Sequence, residues 1–488
     1  MQKPAQSGHG TDVQVRGRPA QGTSPIAWLA GRHTWSAALA LAVILAFVLR
    51  VIALGSKDVF ADELSSLRFA QLNWTAFWKT LTTGEANMAG YYVLLRLWMR
   101  ISDTVWFARM LSVAAAVATV PALYALGKKL FSRQAALFAC LLLAVNTFHM
   151  MYSQAARGYS LAVLLVTLSG LYFVKNLREP TPGSAAGYVI SSAAALYAHY
   201  FAIFVLLAQF FALLFIPRQQ RVLGRQIRLM LVVGVLATPL LLFAAIHKTE
   251  PIFWVQQTSA KDVYHFLTYL TGSGVRFALA LLALGYAGRE WWRCTFGPTA
   301  ERQQDRAWAF LFVVAWLLIP IGLTLFISHW KPVFSPRFLL VCLPAMLLLV
   351  GQGMASIEPR WASYAIVGLF LLSSVTALRS YYREPGLEDW KSATKYLSEN
   401  VRIPDVIVVD PANRDVLEYS FRRSGQNLPT GNLVSTPQSA LGKTDHIWIV
   451  VCHPTAHDKA PMASPNYESL PLAQFTGIQV WHYARSSR

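Results

Sequence analysis

Nothing constrains this chain more than the way its apolar residues are blocked. They recur in runs of roughly 18 to 22, the length that carries a helix across a ~30 Å hydrocarbon layer at about 1.5 Å per residue. The 488 residues are 55% hydrophobic and only 14% charged, against about 25% charged in soluble proteins. The expected fold is therefore an α-helical polytopic membrane protein. The first block, ALALAVILAFVLRVIAL, is longer than a signal-peptide core, and no small-residue cleavage site follows it. It reads as an uncleaved span.

Eleven spans are expected, near 37–55, 105–126, 134–151, 159–174, 186–198, 201–216, 229–246, 275–292, 307–327, 338–355 and 361–379. Residues 1–36 read as a disordered cytoplasmic tail, 37–381 as the transmembrane domain with an external loop at 56–104, and 382–488 as a small extracytoplasmic α/β domain. In that last domain EDWKSATKYLSEN has the pattern of an amphipathic helix, and DVIVVD, HIWIVVCH and GIQVWHYA have that of strands. It contains no glycine-rich phosphate loop.

The net charge of +19 is placed for a membrane, not for nucleic acid. Residues 1–381 hold 32 Lys and Arg against 13 Asp and Glu, whereas 382–488 hold 11 of each. Basic clusters at 128–133, 175–178, 218–228, 289–306 and 360 fall on the side of the N-terminus, which the positive-inside rule makes cytoplasmic. The acidic loop, Arg157, His199, the 328–337 loop and the C-terminus then share the opposite face. Cys140, Cys294, Cys342 and Cys452 lack disulfide or metal-ligand spacing and read as packing residues.

The loop after span one, KDVFADELSSLRFAQLNWTAFWKTLTTGEANMAGYY, is too polar to cross a bilayer. Its adjacent Asp62 and Glu63 are costly beside a membrane unless hydrated, paired or used in chemistry. As a helix opening they suit the N-terminal dipole, so a cap and a reactive carboxylate both remain open. The apolar pieces of the loop carry Trp, Arg and Lys at helical spacing and suit helices lying in the interface.

Five stretches in order resemble the polytopic C-type glycosyltransferases of the family 39 group, which include bacterial protein O-mannosyltransferases and lipid A aminoarabinose transferases. These are ADELSSLRFA, GEANMAGYYVLLRLW, the long segment ending MMYSQAARGYSL, ALYAHYFAIFVLLAQ and SPRFLLVCLPAMLLL. The C-terminal DWKSATKYLSEN also fits. Many relatives carry Glu where this chain has Ala155, and the relatives' His-Pro-Pro form is absent; Glu85 and Asn87 stand in that neighbourhood instead.

The resemblance implies an inverting transfer of a sugar from a polyprenyl-phosphate donor to a hydroxyl of a glycan, lipid or protein, outside a bacterial inner membrane. An attacking hydroxyl loses a proton, which a carboxylate within reach accepts. Asp62 is the candidate base, with Glu63 orienting it or touching the acceptor. The departing phosphate needs positive charge, and Arg157, Arg337 and Lys331 lie on the right face, where headgroup anchoring is the alternative role. Glu85, Asn87, Tyr91 and His199 form the acceptor or metal neighbourhood. The resemblance permits a divalent ion near the site, for which Glu85, His199 and His265 are candidates, although no local spacing supports it. Phe253, Trp254, Tyr264, Tyr269 and Trp330 have the chemistry of a prenyl groove or of an interface belt. A transporter or lipid flippase is the rival reading. It calls for ionisable groups at mid-span and inverted repeats, and the sequence displays neither.

Overall fold

A computed structural model of the chain describes residues 25–83, 87–216, 220–246, 257–298, 300–425, 433–442, 444–453, 461–462 and 464–486. Seven of the described helices are long and apolar enough to cross a membrane: Thr34–Val51, Val105–Leu130, Tyr159–Arg178, Val222–Phe243, Gln304–Ser328, Phe338–Ala355 and Arg360–Arg383. Two bent pairs bring the number to nine: Arg133–Val145 with Thr147–Ser153, and Ala260–Thr271 with Val275–Phe296. Eleven is reached only if the shorter helices Pro182–Ala198 and Ala202–Leu214 also cross. Those two turn at His199, as the sequence suggests, but a helix of 13 residues rises only about 20 Å.

One boundary differs from expectation. Residues 1–24 lie outside the described residues, but the first helix already begins at Pro25 and runs to Val51. Residues 25–36, expected in the tail, are its first turns. Pro25 is favourable at a helix start, where its missing N–H costs nothing.

The bundle core is built on small residues. The helix Phe338–Ala355 is the most enclosed span, with 94% of its apolar window buried. Gly351 meets the backbone of Ala135 and Ala139, and a Cβ there would sit 2.6 Å from the Ala135 carbonyl oxygen. Close backbone approach of this kind is how helices associate where lipid removes the hydrophobic drive between them.

Between the first two spans the loop forms three short helices, Ala61–Gln71, Trp74–Thr83 and Ala89–Trp98. Trp74 and Trp78 stay exposed.

The C-terminal region is a sheet with helices. Its strands are β1 (Val406–Val409), β2 (Leu433–Val434), β3 (His446–Cys452), β4 (Tyr467–Ser469), β5 (Ala473–Phe475) and β6 (Ile478–Arg485). The order is β2-β1-β3-β6-β4, with β5 also on β6. β1 lies parallel to β2 and β3, while β3 pairs antiparallel with β6. All four residues of β1 are buried, as expected for a strand covered on both faces. The three expected strands and the helix Trp390–Asn400 are present.

This unit is fastened to the acidic loop through polar contacts. Lys57 Nζ donates to the carbonyls of Tyr381 and Glu384 at 2.7 and 3.0 Å. Asp58 Oδ2 accepts from the Lys391 N–H at 2.7 Å. Arg423 Nη2 donates to the Gly55 carbonyl at 2.9 Å, and Arg68 pairs with Asp415.

Candidate active site

The helix Ala61–Gln71 opens with Asp62 and Glu63 in its first turn, where carboxylates complement the dipole. Neither side chain caps it. Phe60 is the extended residue before it and offers no side-chain cap. Instead Glu388, from the C-terminal region, accepts from the Ala61 N–H through Oε2 at 3.2 Å. That frees Asp62 from local capping.

Asp62 faces two guanidinium groups. Arg337 Nη1 donates to Asp62 Oδ2 at 2.8 Å, and Arg157 Nη2 lies 3.8 Å from the same oxygen. The Asp62 side chain remains 39% exposed, against 19% for Arg337 and 8% for Arg157. Burial of its flanks would raise the Asp62 carboxyl, but the charges of Arg157, Arg337 and His453 and the Arg337 hydrogen bond together hold it below the ordinary 3.8. Arg157 is fixed by its Nη1, which donates to the Asp62 carbonyl at 3.1 Å, Ser66 Oγ at 3.0 Å and Tyr92 Oη at 3.3 Å. Three separated segments thus converge: the loop after span one, the turn at 154–158 and the approach to Phe338.

Glu63 turns the other way. It is fully buried and takes a two-pronged ion pair from Arg109, whose Nε and Nη2 donate to Oε1 and Oε2 at 2.8 and 2.7 Å. The Ala156 N–H also donates to Oε1 at 2.8 Å. Arg109 donates further to the carbonyls of Leu54, Lys57 and Asp58. Both carboxylate oxygens of Glu63 are thus engaged by Arg109 and the Ala156 N–H. Its place is a buried clamp holding the Asp62 helix to the span Val105–Leu130 and to the Arg157 turn.

The other candidates separate. Tyr91 is buried and shares a 3.0 Å hydrogen bond with Ser112, and Ser112 donates in turn to the Arg157 carbonyl at 3.1 Å. Asn87 Oδ1 accepts from the Tyr200 N–H at 3.3 Å. His199 is buried among Tyr159, Phe201 and Phe338. Its Nδ1 accepts from the Phe201 N–H at 3.2 Å. Lys331 is exposed just past the helix Gln304–Ser328. Glu85, Phe253 and Trp254 lie outside the described residues. Tyr264, Tyr269 and Trp330 are exposed.

The described residues do not fit a metal. No group of three His, Cys, Asp or Glu among them is placed to hold an ion. His265 is exposed on the helix Ala260–Thr271, whereas His199 is buried with one ring nitrogen already engaged. The four cysteines are free, three of them buried.

Three residues escaped the sequence reading: Arg109, Glu388 and His453. Arg109 stands in WFARML, a charge inside an apolar run, which is itself a signal of a paired or functional group. His453 directly follows β3, and the carboxyl ends of strands in open α/β sheets are where ligands gather. Its imidazole Nε2 lies 2.9 Å from Glu388 Oε1. Glu388 is reachable from sequence only through the neighbouring Asp389 cap, whose side chain accepts from the Ser392 N–H.

Residues 88–246 match the dolichyl-phosphate-mannose-protein mannosyltransferase family. A sequence search of curated proteins returns no match. Among solved structures, ArnT from Cupriavidus metallidurans in the apo state superposes with a TM-score of 0.52 at 12% identity, covering 91% of this chain and 97% of that one. The same protein bound to undecaprenyl phosphate gives 0.51 at 14% identity over the same shares. The archaeal oligosaccharyltransferase AglB from Archaeoglobus fulgidus, in complex with an inhibitory peptide and a dolichol-phosphate, gives 0.52 at 10% identity, covering 86% of this chain and 69% of that one. This chain thus has the fold of the polytopic C-type glycosyltransferases.

Proposed function

We propose that this membrane protein of C-type glycosyltransferase fold moves a sugar from a polyprenyl-phosphate donor to an acceptor hydroxyl, with inversion. The observation that carries the reading is Asp62, a partly open carboxylate held between Arg337 and Arg157. Two guanidinium groups around one carboxylate make an anion-binding site with a built-in placeholder. A donor phosphate competes with Asp62 for the same cations, and Arg suits phosphate through its two-pronged geometry.

The exchange has a chemical consequence. While paired to both arginines, Asp62 is a weak base. Once the phosphate draws the guanidinium groups to itself, the carboxylate loses its stabilising partners and its proton affinity rises. It then accepts the proton of the attacking hydroxyl. The new bond forms from the hydroxyl oxygen to the anomeric carbon, and the bond from that carbon to the phosphate oxygen breaks with its electron pair. Arg157 and Arg337 stabilise the charge gathering on the leaving phosphate. One displacement from the face opposite the phosphate inverts the anomeric centre. Undecaprenyl phosphate in one structural neighbour and dolichol-phosphate in another support a lipid-phosphate donor.

The orientation proposed is extracytoplasmic. Arg109 and Lys128 sit 19 residues apart on one helix, so the site and the first basic cluster are separated by about 29 Å. Arg50, Arg109 and His149 are buried ionisable groups, yet they bind backbone carbonyls or each other near helix ends. They brace the bundle and do not line a transport path.

The test is label transfer by purified protein in nanodiscs from a panel of polyprenyl-phosphate-linked pentoses and hexoses to envelope glycan, lipid and protein acceptors. Transfer to any one with inverted linkage supports the reading. Movement of the donor between leaflets without bond exchange favours the flippase.

A further inference from the structure

The first turn of a helix leaves N–H groups without an intrahelical acceptor, and a side chain just before the helix commonly takes one. The helix that carries Asp62 has only Phe60 in that place, with no side-chain acceptor. The Leu64 N–H already reaches the Phe60 carbonyl at 3.0 Å, so the donors left by the helix geometry are those of Ala61, Asp62 and Glu63. An Asp at such a position can turn back and bond N–H groups of its own first turn. A base spent in that way no longer faces the arginines.

The acceptor that Phe60 lacks comes from the C-terminal region. Glu388 Oε2 accepts from the Ala61 N–H at 3.2 Å, across 327 positions of sequence. The Glu388 carboxylate is itself held in place. It is 1% exposed, and Oε2 also accepts from Trp390 Nε1 at 2.5 Å. Its Oε1 meets His453 Nε2 at 2.9 Å. The backbone on both sides is pinned as well. The Asp389 N–H donates to the Thr476 carbonyl at 2.9 Å. Gly477, at φ +69°, packs so closely that an added Cβ would come within 2.4 Å of the Leu387 carbonyl oxygen. Trp390 is fully buried.

We propose that Glu388 is a positioning residue for the transfer step, capping the Asp62 helix from the C-terminal region so that the Asp62 carboxylate stays turned toward Arg337 and Arg157. The inference rests on the transfer reading and deepens it, since it gives the C-terminal region a part in catalysis without a contact to substrate. The cap fixes the backbone of the residue before Asp62 and occupies a donor that Asp62 could otherwise take. Without it, Asp62 bonds its own helix start. The base is then misdirected and its lone pairs are engaged, while the two arginines lose the carboxylate that competes with phosphate for them. Turnover and phosphate affinity therefore move in opposite directions, which general loosening of the region does not produce.

The test uses full-length protein in nanodiscs. Glu388→Ala lowers kcat by about 2- to 30-fold, the span of a lost helix cap, while undecaprenyl phosphate binds more tightly than to the wild type. Glu388→Gln keeps a carbonyl acceptor for the Ala61 N–H and recovers most of the lost turnover. Should Glu388→Ala not fold, Glu388→Asp gives the same reading: it keeps the charge but withdraws the acceptor by one methylene, so kcat falls and phosphate binding tightens. Wild-type kcat in Glu388→Ala overturns the proposal. So does a loss of turnover accompanied by weaker phosphate binding, or a loss that Glu388→Gln does not relieve. Should the wild type transfer no sugar, the transfer reading fails by itself. The cap is then read by amide hydrogen exchange over residues 61–63, which is faster in Glu388→Ala than in the wild type; equal exchange overturns the cap.

Discussion

Glu63→Gln separates a structural carboxylate from a chemical one. Glu63 accepts three hydrogen bonds at 2.7 to 2.8 Å, two of them from Arg109 and one from the Ala156 N–H. Both partners of the ion pair are buried, with side chains 1% and 0% exposed. Glutamine keeps the volume and one carbonyl oxygen but turns an NH₂ toward a guanidinium or an amide that also donates. The Arg109 charge is then left buried without its counter-ion. Breaking a buried pair on one side costs roughly 3–5 kcal/mol, which is a large share of the ~5–15 kcal/mol that holds a typical domain folded. The expected outcome is poor recovery of monodisperse protein and a strongly lowered melting point by tryptophan fluorescence. Arg109→Ala fares alike, and Glu63→Leu paired with Arg109→Met recovers part of the loss, because an apolar pair needs no compensation. If Glu63→Gln instead melts with the wild type and loses only turnover, the clamp is refuted and Glu63 belongs to the chemistry.

Two further outcomes follow from the same geometry. Arg337→Lys weakens binding of undecaprenyl phosphate by about 10- to 100-fold, the ~1.5–3 kcal/mol of a charged hydrogen bond lost when a fork becomes a point charge; unchanged affinity in isothermal titration would assign Arg337 to Asp62 alone. A phosphatase fused after Arg488 is active and a cytoplasmic reporter there is silent, since the C-terminal region is bonded to the Asp62 loop; the opposite result reverses the membrane orientation.

Much of the architecture was legible because lipid leaves few options. A span must satisfy its own backbone, so apolar length gives the helices, and charge placement gives a single face for Asp62, Arg157 and Arg337. The structure brings those three side chains together. What the sequence hid is direction around a helix. Asp62 and Glu63 are neighbours about 100° apart on a helix, and the residue that decides their fates, Arg109, lies 46 positions from Glu63. The Glu388 contact with the loop was hidden by separation in sequence, since it joins Ala61 to a residue 327 positions away.

The central claim is that Asp62 is the proton acceptor of the transfer step, and its most direct test is the turnover of Asp62→Asn at saturating donor and acceptor. Asparagine keeps the shape and still accepts from Arg337, and the position is partly exposed, so membrane levels and melting point stay near the wild type. Turnover falls by about 10²- to 10⁴-fold, the range for a lost general base. Wild-type turnover from a well-folded Asp62→Asn protein would contradict the account and leave Asp62 as no more than a counter-ion for Arg157 and Arg337.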